Sequence, residues 1–444
     1  MASNSPSGPT KVLLPRMSDH ALVVAGVMRG MGIDAQVLPT PDDESMAIGR
    51  SLCRGRECLP CFLCTGDILK KCREPDFDVD DHLFFMPRGP GPCRFGQYSV
   101  LQKQILADEG FPKANLFSPT TEDSYALFGD DPLTLRKRAW QAIVTTDLIT
   151  KATNEHRPYE VAPGSTDEVY RMCIDRLVQA AEQGAGPHLV EAMAWCAGRF
   201  KGLEVERSQP RPLILVIGEI YLMLNETANL RIVRAVEATG GEVLQGTFMD
   251  WLHFVDWRRI DLGLRFRDYA DVIKATLSEQ YQRRWQKKLV RPIRFLFKHP
   301  PDSSVPDAVR HLVPYYEPVL GTEAVLTMAR TLATYPHGLA GVINVLPFSC
   351  MPGTIVAAMA PTLRQQMDGI PWLDLSFDGQ GETNVNTRLE AFMHQALQFQ
   401  RRVVEPRRSG AAVGSGQSGR AGTPSVAHVA HDEAPHPNAS VDAL

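Results

Sequence analysis

Between positions 53 and 93 the chain carries Cys53, Cys58, Cys61, Cys64, Cys72 and Cys93, six of its nine cysteines. In a chain with no export signal thiols stay reduced, so this clustering points to metal rather than to disulfides. Cys58, Cys61 and Cys64 follow a Cys-x2-Cys-x2-Cys pattern, which on a helix puts them on one side and which opens a bacterial ferredoxin run. Cys72 comes too late for the fourth ferredoxin ligand, and no Pro follows it. Four thiolates also suit a tetrahedral zinc site, so spacing alone leaves the metal open.

Around this block the pattern alternates. Lys11 to Pro15 reads as a buried strand, Asp19 to Met31 as a helix, and Ala35 to Leu38 as a second strand. A second helix starts in the run Thr40 to Glu44, where acidic residues suit the positive end of the helix dipole. Pro60 fits the first turn of a helix running towards Cys72, although Gly66 argues against its continuity. His82 to Met86 and Asn115 to Ser118 read as strands on either side of a helix from Phe95 to Ala107. From Pro132 to about Phe200 the spacing is helical. A second lobe opens with the uncharged strand Pro212 to Gly218, followed by a helix over Asn229 to Thr239 and a strand over Glu242 to Gln245. The segment Leu262 to Phe297, rich in Arg, Lys and aromatics, is expected to be helical, followed by a helix over Thr322 to Tyr335 and a strand over Gly341 to Leu346. A helix from Met351, a last strand over Trp372 to Leu375 and a closing helix over Thr387 to Gln400 complete the pattern.

Strands alternating with helices predict an α/β fold of parallel sheets flanked by helices. Two Rossmann-like lobes are expected, 11–155 and 206–404, joined by a helical layer over 156–205. Residues 1–10 and 405–444, rich in Gly, Ser, Ala and Pro, cannot offset their ordering entropy by burial and are expected to be disordered. His428, His431 and His436 in that tail read as solvated.

A net charge of −4 with no basic stripe argues against nucleic acid as a partner. No apolar run reaches bilayer length and the amino terminus lacks the features of an export signal, so a cytoplasmic protein is expected. No P-loop or Gly-rich phosphate segment is present, and no Ser-His-Asp or metal-hydrolase pattern stands out.

Cys93 lies in a Gly/Pro loop after a strand and just before a helix, where free N–H groups and the helix dipole stabilise a thiolate. Cys350 repeats this placement far along the chain, after the strand Val342 to Leu346 and before the helix that follows Met351. Open α/β sheets bind ligands outside the carboxyl ends of their strands. Two cysteines so placed in different lobes point to one shared cluster at the lobe interface.

The segments Gly55 to Pro60, Pro92 to Arg94, Gly218 to Tyr221, Pro347 to Pro352 and Phe377 to Asn384 together resemble the 2-hydroxyacyl-CoA dehydratase and double-cubane cluster protein superfamily. Within it the chain is most similar to the activase-related proteins, and the resemblance covers roughly residues 11 to 404. It implies that Cys58, Cys93 and Cys350 hold a [4Fe–4S] cluster or a double-cubane [8Fe–9S] cluster. It further implies a homo- or hetero-dimer, and single electrons received from a separate ATP-hydrolysing activase of actin/Hsp70-like fold. The expected role is an oxygen-sensitive electron-transfer or reductase component. A non-catalytic scaffold with zinc or no metal, and a 2-hydroxyacyl-CoA dehydratase subunit, are the alternatives.

Cys61, Cys64 and Cys72 fall outside the three-cysteine pattern and read as additional ligands or as packed thiols. Cys53, Cys173 and Cys196 read as core residues. Arg56 and Arg94 flank the proposed ligands and can balance a cluster's charge or serve in ordinary ion pairs. Glu219, after a buried strand, is a candidate for substrate handling or proton delivery, or a helix cap. Asp378 and Glu382, in a Gly-rich loop after the last strand, are further candidates. His82 reads as a core or edge histidine.

Overall fold

The computed structural model describes residues 11–53, 57–89, 93–119, 131–299, 304–379 and 384–407. The expectations for residues 1–10, Arg56, Glu382 and the tail histidines lie outside these. Helical chain continues to Arg407, slightly past the expected boundary at 405.

The first sheet contains β1 (Lys11–Leu14), β2 (Ala35–Val37), β3 (His82–Phe85) and β4 (Asn115–Phe117), all parallel, in the order β2-β1-β3-β4. Its helices are α1 (His20–Arg29), α2 (Asp43–Leu52), α3 (Leu59–Cys72) and α4 (Tyr98–Asp108). Alternate residues of a strand face opposite sides. Val12 and Leu14 therefore join one core with α1, while Leu13 joins another with α3 and α4. Three long helices follow, α5 (Pro132–His156), α6 (Ser165–Glu182) and α7 (Pro187–Lys201). They complete the core under α1, so α5 belongs with this helical layer as much as with the first lobe.

The second sheet repeats the plan with β5 (Leu213–Gly218), β6 (Glu242–Gln245), β7 (Leu339–Pro347) and β8 (Trp372–Phe377), parallel and in the order β6-β5-β7-β8. Every residue of β7 is buried, as befits a central strand covered on both faces. The helices here are α8 (Ile220–Leu224), α9 (Ile232–Ala238), α10 (Phe248–Arg265), α11 (Tyr269–Val290), α12 (Val305–Leu312), α13 (Thr322–Thr334), α14 (Met351–Gln366) and α15 (Val385–Phe399). One apolar core runs from Leu13 and α3 through to β5 and β7, so the two lobes are packed together rather than tethered. Among the described residues no helix is long and apolar enough to cross a membrane.

One local expectation is refined. The segment Leu262 to Phe297 is mostly helical as expected, but in two helices and from an earlier start: α10 begins at Phe248, where the Thr247 hydroxyl accepts the Asp250 N–H at 3.1 Å. The chain then reverses through Arg267, at φ 60°, and α11 runs back along it, held by Ser278 and Gln282 on the Asp256 carboxylate. The helix expected from Pro60 towards Cys72 is present as α3, and Gly66 does not interrupt it. A Cβ there would lie 1.8 Å from the Ser45 carbonyl oxygen, so the glycine lets α2 and α3 touch backbone to backbone.

Candidate metal centre

Each sheet has one point where the strand order reverses, between β1 and β3 in the first and between β5 and β7 in the second. A crevice opens outside the carboxyl ends of the strands at such points. The candidate residues gather there. Gly218 ends β5 at φ 143°, and a Cβ at that position would stand 2.0 Å from the Val345 carbonyl oxygen of β7. Gly218→Ala is therefore expected to cost at least ~2 kcal/mol through backbone strain and displacement of β7, read as a lowered melting temperature.

Cys58, Cys93 and Cys350 share one local geometry. Each is the extended residue that precedes a helix: α3 for Cys58, a short 3-10 turn running into α4 for Cys93, and α14 for Cys350. Each sulfur is within reach of a backbone N–H of the following turn, from Cys61, Phe95 and Gly353 respectively. Cys58 and Cys350 thus stand at α-helix amino termini, and Cys93 at a 3-10 turn that leads into one, where backbone N–H groups face the sulfur. Cys58 acts electrostatically on both Cys93 and Cys350, so each of them lies on the same side of the molecule as Cys58 although they come from distant parts of the chain. A direct bond closes the arrangement across the lobes: Arg94 Nη1 donates to Ser349 Oγ at 3.0 Å, joining the residue after Cys93 to the residue before Cys350.

Burial pushes the Cys58 thiol up to about 11, against the lowering effect of the Tyr98 hydroxyl at 2.5 Å. Cys350 is half-buried, and desolvation with the Glu219 and Glu323 carboxylates pushes it up to about 12. Cys93 presents accessible surface yet is surrounded by protein, as on a cleft wall. Desolvation, followed by Glu323, pushes it up to about 12 as well. In the metal-free protein these are neutral thiols at neutral pH, so loading a metal must displace their protons.

The remaining cysteines separate into groups. Cys61 and Cys53 are buried and hydrogen-bonded to each other, which holds Cys61 protonated as the donor. Cys64 is buried against the Tyr221 hydroxyl of the second lobe, beside Cys58 and Cys61. Cys72 is the last residue of α3, roughly 20 Å along the helix axis from Cys58, and is not part of the site. Cys173 and Cys196 are wholly buried and hydrogen-bonded to each other in the helical layer. None of the nine is in a disulfide.

Glu219 follows Gly218, and its carboxylate accepts the Tyr221 and Leu222 N–H groups at 3.1 and 2.9 Å. It is thus a helix cap, and it is also electrostatically coupled to all three cysteines. Burial pushes it up to about 7. Glu323, in the first turn of α13, faces it, and burial together with Glu219 pushes it up to about 8. Sequence reasoning missed Glu323, because an acidic residue opening a helix reads as a solvated dipole partner. It also missed Tyr98 and Tyr221, the hydroxyls on Cys58 and Cys64. Asp378 is half-buried directly after Phe377, whose carbonyl accepts the Phe348 N–H at 2.8 Å, so it lies beside the Cys350 turn. Arg94 belongs to the site through Ser349 and lowers Cys58 by its charge. His82 is half-buried at the strand edge and turns its Nδ1 to the Asp78 carbonyl at 2.6 Å.

Among the described residues no three His, Cys, Asp or Glu side chains close up tightly enough to grip a single metal ion. No model of a known protein family matches the chain, and comparison with curated proteins finds no relative.

Proposed function

We propose that the chain is an iron–sulfur electron-transfer or reductase component, related to the 2-hydroxyacyl-CoA dehydratases and double-cubane cluster proteins and working with an ATP-dependent activase. The observation that carries this reading is that Cys58, Cys93 and Cys350, each just before a helical turn, lie on the same side of the molecule although they come from two lobes. These three residues would hold a [4Fe–4S] or double-cubane cluster, which supplies one-electron chemistry when bound.

The chain's own residues set the conditions for that chemistry. The N–H groups of Cys61, Phe95 and Gly353 and the Tyr98 hydroxyl donate to the ligand sulfurs, and such bonds together with burial tune a cluster's potential. The helix ends and Arg94 offset negative charge. Glu219 and Glu323 keep protons at the cleft near neutral pH, where an electron arriving in a buried site needs a proton to follow it. Phe348 and Met351, which flank Ser349 and Cys350, are 64% and 41% exposed and offer an apolar rim where an electron-donating partner can dock beside the cysteines.

The test is anaerobic reconstitution followed by iron, acid-labile sulfide and zinc analysis, with electron paramagnetic resonance on the dithionite-reduced protein. Iron and sulfide in near-equal amounts with a reduced-cluster signal are expected. Zinc at about one per chain without sulfide, or no metal at all, overturns the reading.

A further inference from the structure

A second constellation, which uses none of the cysteines, lies at the carboxyl end of β1. Ser18 Oγ is 2.8 Å from His20 Nδ1, and His20 Nε2 is 2.9 Å from Asp147 Oδ1 on α5. Asp147 also accepts the Phe248 and Met249 N–H groups at 3.2 and 2.7 Å, so its carboxylate is held in place. In neutral His20 the ring proton must then lie on Nε2, because a carboxylate has none to give. Nδ1 keeps its lone pair facing the Ser18 hydroxyl. This is the logic of nucleophile, base and orienting acid, with the two ring nitrogens exchanged relative to the serine-protease arrangement.

The surroundings fit the same reading. Ser18 lies in the turn between a parallel strand and a helix at the top of a sheet, the placement of a nucleophile elbow, although no Gly-x-Ser-x-Gly motif is present. The N–H groups of Asp19 and His20, next in the chain and at the start of the ten-residue α1, meet no acceptor among the described residues. They are available for an oxyanion. The turn is fixed in advance: Asn225 Nδ2 donates to the Arg16 and Met17 carbonyls at 3.2 and 3.0 Å, and the Tyr170 hydroxyl donates to Asp19 at 2.8 Å. The His20 and Asp147 side chains are 6% and 3% exposed, while Ser18 is only half-buried, so the nucleophile is the accessible member.

We infer that Ser18, His20 and Asp147 form an acyl-transfer site for small carboxylic esters. Ser18 Oγ bonds to the acyl carbon as its proton passes to His20 Nδ1. The bond to the alcohol oxygen breaks as His20 returns that proton to it, leaving an acyl group on Ser18. Water then releases the acid by the same proton route and restores the hydroxyl.

The full-length chain is to be treated with an alkyl fluorophosphonate and mapped by peptide mass spectrometry, with p-nitrophenyl acetate as a turnover probe. A covalent adduct on Ser18 is expected, absent in Ser18→Ala, with a rate at least ~100-fold lower in His20→Gln. No adduct on Ser18 in the folded wild-type chain overturns the inference. So does acetate release by Ser18→Ala as fast as by wild type. Ser18→Ala removes one hydroxyl outside the core, so it decides the matter even where His20→Gln fails to fold, and a thermal melt verifies each variant.

Discussion

Cys58→Ala, Cys93→Ala and Cys350→Ala are each expected to lose most of their iron and sulfide after anaerobic reconstitution, whereas Cys72→Ala, Cys173→Ala and Cys196→Ala keep theirs. The contrast follows from position and not from chemistry, since all six are thiols. The first three each precede a helical turn, and on the proposed reading each loss would leave an iron without its thiolate. The second three are buried in packed helices away from the cleft, where an alanine removes one sulfur atom at about 1 kcal/mol. Metal analysis and the visible absorption band read the difference directly. Equal iron content in all six variants would remove the assignment of the three ligands.

The metal-free protein is expected to lose stability as pH rises from 6.5 to 8, and Glu323→Gln to flatten that fall. Burial raises the Glu323 carboxyl from 4.5 to about 8, so the fold favours its neutral form. The stability this contributes is complete below pH 4.5 and drains away as pH climbs to about 8, because the unfolded chain ionises freely while the folded one does not. Glu219 and Asp67, both raised to about 7 chiefly by burial, act in the same sense over a lower range. His156, His253 and His299 are held below their usual value by burial and act in the opposite sense, but their effect is complete once pH exceeds the ordinary histidine value of 6.5. The interval from 6.5 to 8 therefore isolates the carboxyls, with roughly 2 kcal/mol from Glu323 alone. Melting temperatures across that interval test it: a wild-type value that is flat or rising, or an undiminished slope in Glu323→Gln, would refute the account.

Much of the fold was legible because the local signals agreed with one another. Largely apolar strands of three to nine residues alternate with helical spacing, and that pattern has few solutions other than parallel sheets covered by helices. The placement of Cys93 and Cys350 before helices was legible for the same reason. The break between α10 and α11 was not, because Arg267 turns the chain in a left-handed conformation that its side chain does not announce. The helix through Gly66 was legible, but the reason for the glycine was not, since only the folded chain shows that the Ser45 backbone needs its space. Glu323, Tyr98 and the pairing of His20 with Asp147, 127 residues away, depend on tertiary approach, which no spacing along the chain encodes.

The bond between Arg94 and Ser349 joins segments 255 residues apart, so it can form only once the chain through Ser349 has been made. Cys58 and Cys93 leave the ribosome long before Cys350, so for most of translation the nascent chain owns only part of its sulfur triangle. Inorganic iron and sulfide offered at that stage would find two thiols and an open flank. If the three cysteines hold a cluster as proposed, its assembly has to wait until β7 and the turn after it are made, because the third sulfur and the central strand of the second sheet come late in the chain.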